Sequence, residues 1–158
     1  QASVAPRIDP RLLVAISGEF SPCALFMGPT GCGKTSAARW IKARHNGTWF
    51  NARWLAGSRL RHALGDGEPP NLLEASKCDA LFLDDLVTED DRGISDLQFV
   101  YERRYSSCLP TVTTTGLTMP LLIARYGAAT VRRMVDQHVQ NGAGEFAVTM
   151  VNLHEESK

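Results

Sequence analysis

Residues Gly28-Pro29-Thr30-Gly31-Cys32-Gly33-Lys34-Thr35 combine turn-forming residues with one cation and a closing hydroxyl in the order G-x-x-x-x-G-K-[ST]. The glycines let the backbone fold tightly, so that its N–H groups converge on phosphate oxygens. Lys34 can then reach the β- and γ-phosphates, the Thr35 hydroxyl can hold Mg²⁺, and Ser36 follows at the helix start. The residues expected to hold a nucleoside triphosphate are therefore Gly28, Pro29, Thr30, Gly31, Cys32, Gly33, Lys34, Thr35 and Ser36.

A second group supplies carboxylates. In Leu81-Phe82-Leu83-Asp84-Asp85 an apolar run ends in two acids, as expected where a buried strand delivers its carboxyl end to a nucleotide. Asp84 is expected to serve Mg²⁺, and Asp85 to orient or deprotonate an attacking water. Adjacent carboxylates repel one another unless a cation is close, which fits a metal beside them. The run Thr113-Thr114-Thr115 places hydroxyls at the end of another strand, where one of them could touch the terminal phosphate. Threonine is also simply a good strand former. Arg125 and the pair Arg132-Arg133 sit near predicted helix ends, either as solvated surface or as groups that stabilise transition-state charge on a neighbouring subunit.

These residues need elements to position them. Strand-like and helix-like segments alternate along the chain, which predicts a parallel sheet with helices on both faces. Strands are expected over Cys23–Met27, Thr48–Asn51, Ala80–Leu83, Thr111–Thr115 and Phe146–Met150. Helices are expected over Pro10–Ile16, Thr35–Ile41, Ala52–Leu64, a short segment capped by Asn71, Ile94–Tyr105, Met119–Arg125 and Thr130–Val139. Gly65-Asp66-Gly67-Glu68-Pro69-Pro70 and Asn141-Gly142-Ala143-Gly144 read as turns.

The chain has 158 residues, enough for one domain over 1–158, and 44% hydrophobic content is that of an ordinary globule. No apolar run approaches the roughly 20 residues that span a bilayer, so no membrane association is expected. Cys23, Cys32, Cys78 and Cys108 lack the spacing of a zinc site, and a disulfide at Cys32 would obstruct the loop. A reducing, cytoplasmic setting is expected. The chain starts at Gln1 without methionine, which gives the expectation of a removed N-terminal segment. Charge balances at 17 basic and 17 acidic residues, but no carboxylate falls between Glu19 and Asp66, and that basic half either meets nucleic acid or is a solvated face.

Taken in order, the motifs resemble those of AAA+ ATPases, in particular the DnaC/IstB-like group of helicase loaders and transposition ATPases. The resemblance rests on the loop, the acidic pair, Tyr101-Glu102-Arg103-Arg104-Tyr105, Leu109 through Thr114, Leu117-Thr118, Arg125-Tyr126-Gly127 and Arg133-Met134. It implies a three-layer P-loop core with a reduced or absent lid, in which the threonine strand lies between the loop strand and the Asp84 strand. ATP and Mg²⁺ as cofactors, a homo-oligomer with shared sites, and a replicative helicase or transposase as partner are implied as well. Arg133 falls at the arginine-finger position, with Arg125 the alternative by comparison with DnaA-type initiators. The Ala52–Leu64 helix, with Arg53, Arg59 and Arg61, lies where related proteins face single-stranded DNA. The chain departs from the group at Gly116, where an asparagine is common, so Thr115 must take over the water-orienting role or hydrolysis is slow. An assembly ATPase is the leading reading. A nucleotide-gated module with negligible hydrolysis and a small-molecule kinase are the alternatives.

Overall fold

Consecutive apolar residues form β1 (Ala24–Met27), and every one of them is buried. Side chains alternate across a strand, so Leu25 and Met27 enter one hydrophobic cluster while Ala24 and Phe26 enter another on the opposite face. A strand buried on both faces needs cover on both, and the remaining elements supply it. The structure is a computed structural model and describes residues 8–17, 23–56, 58, 70–87, 93–137, 139–141, 144–146 and 148–154.

Along the chain these elements are α1 (Pro10–Ile16), β1, α2 (Lys34–Lys42), β2 (Thr48–Asn51), α3 (Ala52–Leu55), α4 (Pro70–Lys77) and β3 (Leu81–Asp84). They continue with α5 (Ile94–Ser106), β4 (Thr111–Thr115), α6 (Met119–Tyr126), α7 (Ala128–Val135), β5 (Val139–Asn141), β6 (Gly144–Phe146) and β7 (Thr149–Asn152). The main sheet has the order β2-β3-β4-β1-β7 and is parallel throughout. The threonine strand β4 thus lies between the loop strand and the Asp84 strand, as the family resemblance implied.

Leu12, Ile16, Ala37, Ala38 and Ile41 bring α1 and α2 against one face of the sheet, over Phe26, Phe82 and Val112. Leu55, Leu72, Val100, Leu122 and Met134 bring α3 through α7 against the other, over Leu25, Leu81 and Leu83. The expected three-layer α/β architecture is present. Register then sets the site: Met27 lies beside Thr115, Leu83 beside Thr113 and Asn51 beside Asp84. The exits of β1, β3 and β4 therefore gather at one edge.

Several expected boundaries differ. Asn71 lies inside the first turn of α4, which opens at Pro70; proline's fixed φ and missing N–H suit that position. Where one helix was expected over Ala52–Leu64, α3 closes at Leu55 with Ala56 in extended backbone (φ −60, ψ 128); residues 59–64 lie outside the described residues. The helix expected to reach Val139 stops at Val135, and Val139 instead pairs with Phe146 in a hairpin. The single strand expected over Phe146–Met150 is two, because Phe146 belongs to that hairpin while Thr149–Asn152 pairs with β1. Among the described residues no helix follows β7, and none is long and apolar enough to cross a membrane.

Candidate functional site

The loop between β1 and α2 is shaped by backbone that only glycine adopts easily. Gly31 and Gly33 have φ of 88° and 95°, in the left-handed region. Gly33 is also the N-cap of α2 and has no side chain to occupy the first amides of the helix, so these remain donors at the positive end of its dipole. That is an anion-binding arrangement. Lys34, the first residue of α2, turns its ammonium back over the loop and donates to the carbonyls of Gly28 at 2.6 Å and Pro29 at 3.0 Å. The loop is anchored beneath as well, since the Asp9 amide donates to the Cys32 carbonyl and Gly28 packs against Leu153 too closely for any side chain.

Across from the loop stands the end of β3. Asp84 is 8% exposed, and its Oδ1 accepts both the Thr35 hydroxyl at 2.9 Å and the Thr114 hydroxyl at 2.6 Å. Asp85 is exposed and takes φ 60, a left-handed conformation unusual for a residue with a side chain. Its amide donates to Thr114 Oγ1 at 2.9 Å, so a single hydroxyl serves the backbone of one acid and the carboxylate of the other. Between loop and strand ends lies a cavity of about 510 Å³, lined on one side by Lys34, Thr35 and Ser36 and on the other by Asp84, Asp85 and Thr114. Its size is that of a small-molecule site. A cationic loop faces two carboxylates across it. Such a donor set fits a polyphosphate with its divalent cation: amides and Lys34 for oxygens, Thr35 and Asp84 for the metal.

No protein-family model matches the chain, and neither does any curated protein. Solved structures do. The DnaC helicase loader superposes with a TM-score of 0.62 at 21% identity, over 89% of this chain and 86% of that one. DnaI gives 0.52 at 22% identity, over 79% of this chain and 72% of that one. DnaA from Aquifex aeolicus, bound to AMPPCP, gives 0.56 at 17% identity; 90% of this chain is covered but only 44% of DnaA. The chain has the DnaC-like AAA+ fold. Identity at this level speaks for the fold alone, and the site must be judged on its own residues.

Within this fold the expected site residues divide into two groups. Thr30, Gly31, Gly33, Lys34, Thr35 and Ser36 line the cavity together with Asp84 and Asp85. Gly28, Pro29 and Cys32 do not line it and build the underside and edge of the loop. Thr115 does not face the cavity either. Its buried hydroxyl donates to the Leu86 carbonyl and accepts the Leu117 amide at 3.1 Å. Strand alternation explains this placement: Thr113 and Thr115 share the face toward α5, where Thr113 meets the Tyr101 hydroxyl at 2.5 Å, and Thr114 points the other way. A period of two limits the choice to alternate threonines, but only the neighbouring elements say which set meets the cavity side. Gly116 lines the cavity, and a Cβ there would meet nothing nearer than the Gly28 carbonyl at 3.9 Å.

Arg125 and Arg133 lie away from their own chain's cavity. Arg133 lines a separate cavity of about 250 Å³ with Arg132, Glu102 and Tyr105, where α5 meets α7. Of the basic residues in the first half, Arg39 covers the Trp49 ring with its guanidinium 4.4 Å from the centroid, and Arg44 covers Trp40 at 3.5 Å. Both are partly occupied in packing. Arg53 is exposed on α3, while Arg59 and Arg61 lie outside the described residues. Tyr126 entered the sequence reading only as part of the Arg125-Tyr126-Gly127 step, with no role of its own; its hydroxyl donates to the Val87 carbonyl at 2.9 Å beside the site.

Proposed function

We propose that this chain is a single nucleotide-binding core that takes ATP with Mg²⁺, hydrolyses it, and uses the cycle to assemble DNA-replication machinery in the manner of a helicase loader. The observation that carries this reading is the meeting of Lys34 and Thr35 with Asp84 and Asp85 across one cavity. The similarity to the DnaC helicase loader and to DnaI supports the choice among P-loop functions. In this reading Mg²⁺ is held by Thr35 and Asp84 and neutralises phosphate charge, while Asp85 aligns water. Arg133, or else Arg125, acts on the site of the next subunit in a homo-oligomer. The partner is a replicative helicase or a transposase, and the Arg53 face meets single-stranded DNA; a structure of DnaA with this fold, solved with single-stranded DNA bound, supports a nucleic-acid partner.

One specific observation favours a second reading, a nucleotide-gated module with negligible turnover. Gly116 follows β4 on the cavity wall, and the neighbouring Thr115 hydroxyl is consumed by Leu86 and Leu117. Labelled-ATP binding and phosphate release, with and without single-stranded DNA and a replicative helicase, separate the two. Lys34→Ala should weaken ATP binding about 10- to 100-fold, the loss of a charged phosphate contact worth ~1.5–3 kcal/mol. Equal affinity in the variant would remove the basis of both readings.

A further inference from the structure

The turn that carries the second acid is held from two directions. Asp85 keeps its left-handed φ of 60° only because the surroundings over-determine it. Three bonds come from β4: Asp85 N–H to Thr114 Oγ1, Leu86 N–H to the Thr114 carbonyl at 2.8 Å, and the Thr115 hydroxyl to the Leu86 carbonyl. The fourth comes from the last residue of α6, where Tyr126 donates its hydroxyl to the carbonyl of Val87. Val87 lines the nucleotide cavity, whereas Tyr126 is 1% exposed in the core beneath.

The same tyrosine anchors a second place. Its carbonyl accepts Gln98 Nε2 from α5 at 2.8 Å, and Gly127, with φ 90 and ψ 150, then bends the chain into α7. Arg125 lies on one side of this elbow and Arg133 on the other. A phenylalanine ring would fill the same core volume, so packing does not call for the hydroxyl. Its bond to Val87 joins the elbow to the acidic turn.

Resting on the nucleotide reading above, we propose that Tyr126 is a positioning residue: its hydroxyl fixes the exit of the Asp85 turn and ties that turn to the α6–α7 elbow bearing Arg125 and Arg133. A phosphate and cation engaging Asp84 and Asp85 settle the turn, and Val87 passes that restraint through Tyr126 to the elbow. The subunit's own site thereby sets the order of the arginines it presents outward.

The test compares the full chain with Tyr126→Phe, using a non-hydrolysable ATP analogue with Mg²⁺. Amide hydrogen exchange is read over residues 84–87 and 119–135, with α5 peptides reporting core integrity. In the parent, the analogue should slow exchange at the elbow. In Tyr126→Phe the analogue should bind with affinity within about twofold, because the phosphate loop is untouched. The elbow should no longer respond, and kcat should fall about tenfold with KM little changed. An elbow response that survives in the variant overturns the proposal, as does its absence in a parent that binds the analogue. A parent that binds no analogue removes the nucleotide reading itself, and this inference with it. Should α5 also loosen in the variant, Gln98→Leu decides: it frees the elbow from α5 without touching the Val87 bond, so its elbow must still slow in exchange when the analogue binds, and a lost response there overturns the role given to the Val87 bond.

Discussion

Two acids adjacent in the chain have opposite surroundings. Asp84 is buried and receives the hydroxyls of Thr35 and Thr114 on one oxygen, which fixes its direction. Asp85 is exposed, turned by its left-handed backbone toward the cavity that it lines. The first environment suits a carboxylate that helps hold a cation, and the second a carboxylate that handles water. Asp85→Asn should therefore retain ATP and Mg²⁺ affinity in a binding assay while phosphate release drops by about 10² or more, the usual yield of general-base assistance. Wild-type turnover in this variant would place the base elsewhere. Thr114, the hydroxyl between the two acids, is the residue that makes their difference possible.

Among the elements, α5 holds the least expected side chain. Arg104 is 1% exposed and continues the buried stripe of Leu97, Val100 and Tyr101. Its guanidinium donates to the carbonyls of Ala75 and Cys78 at the C-terminal end of α4, to the Pro110 carbonyl, and to Thr111 Oγ1. A cation suits the negative end of a helix dipole, and these bonds satisfy carbonyls that α4 leaves open. Burial lowers the guanidinium's pKa from its ordinary value, with the Cys78 thiol working in the opposite direction. The side chain thus ties α4, α5 and the foot of β4 together. Gln137 completes that foot, exchanging hydrogen bonds with both the amide and carbonyl of Thr111 as a further strand would. Arg104→Met keeps much of the volume but orphans several buried carbonyls. It should cost roughly 2–4 kcal/mol in urea unfolding, with nucleotide affinity preserved in the folded fraction.

For the molecule as a whole, geometry separates the arginines from the site they would serve. Neither Arg125 nor Arg133 lines the cavity of its own chain, and Arg133 opens instead on the small cavity between α5 and α7. If the finger acts between subunits, Arg133→Ala should leave ATP affinity unchanged and lower turnover by up to about 10³. Mixing it with Lys34→Ala subunits should restore part of the rate, since one chain then offers an intact site and the other an intact arginine. Complementation by Arg125→Ala instead would transfer the role to Arg125. A mixture that stays inactive for both would favour the nucleotide-gated module.

The glycine-rich loop, the acidic pair and nearly every element of the main sheet were legible in the sequence because each is a local matter. Gly31 and Gly33 announce left-handed backbone, an apolar run announces a buried strand, and α5 shows its stripe at helical spacing. Where local pattern is silent, long-range pairing decided. Phe146 and Thr149 look alike in sequence, yet one joins a hairpin and the other the edge of the main sheet, since pairing depends on which backbone lies alongside. Period-two alternation narrowed β4 to alternate threonines, and only the placement of β3 beside it made Thr114 rather than Thr115 the one that meets the acids. Arg104 reads as surface by its charge and is buried because three elements converge on it. Tyr126 reaches Val87 across 39 residues of chain, a contact that no local pattern encodes.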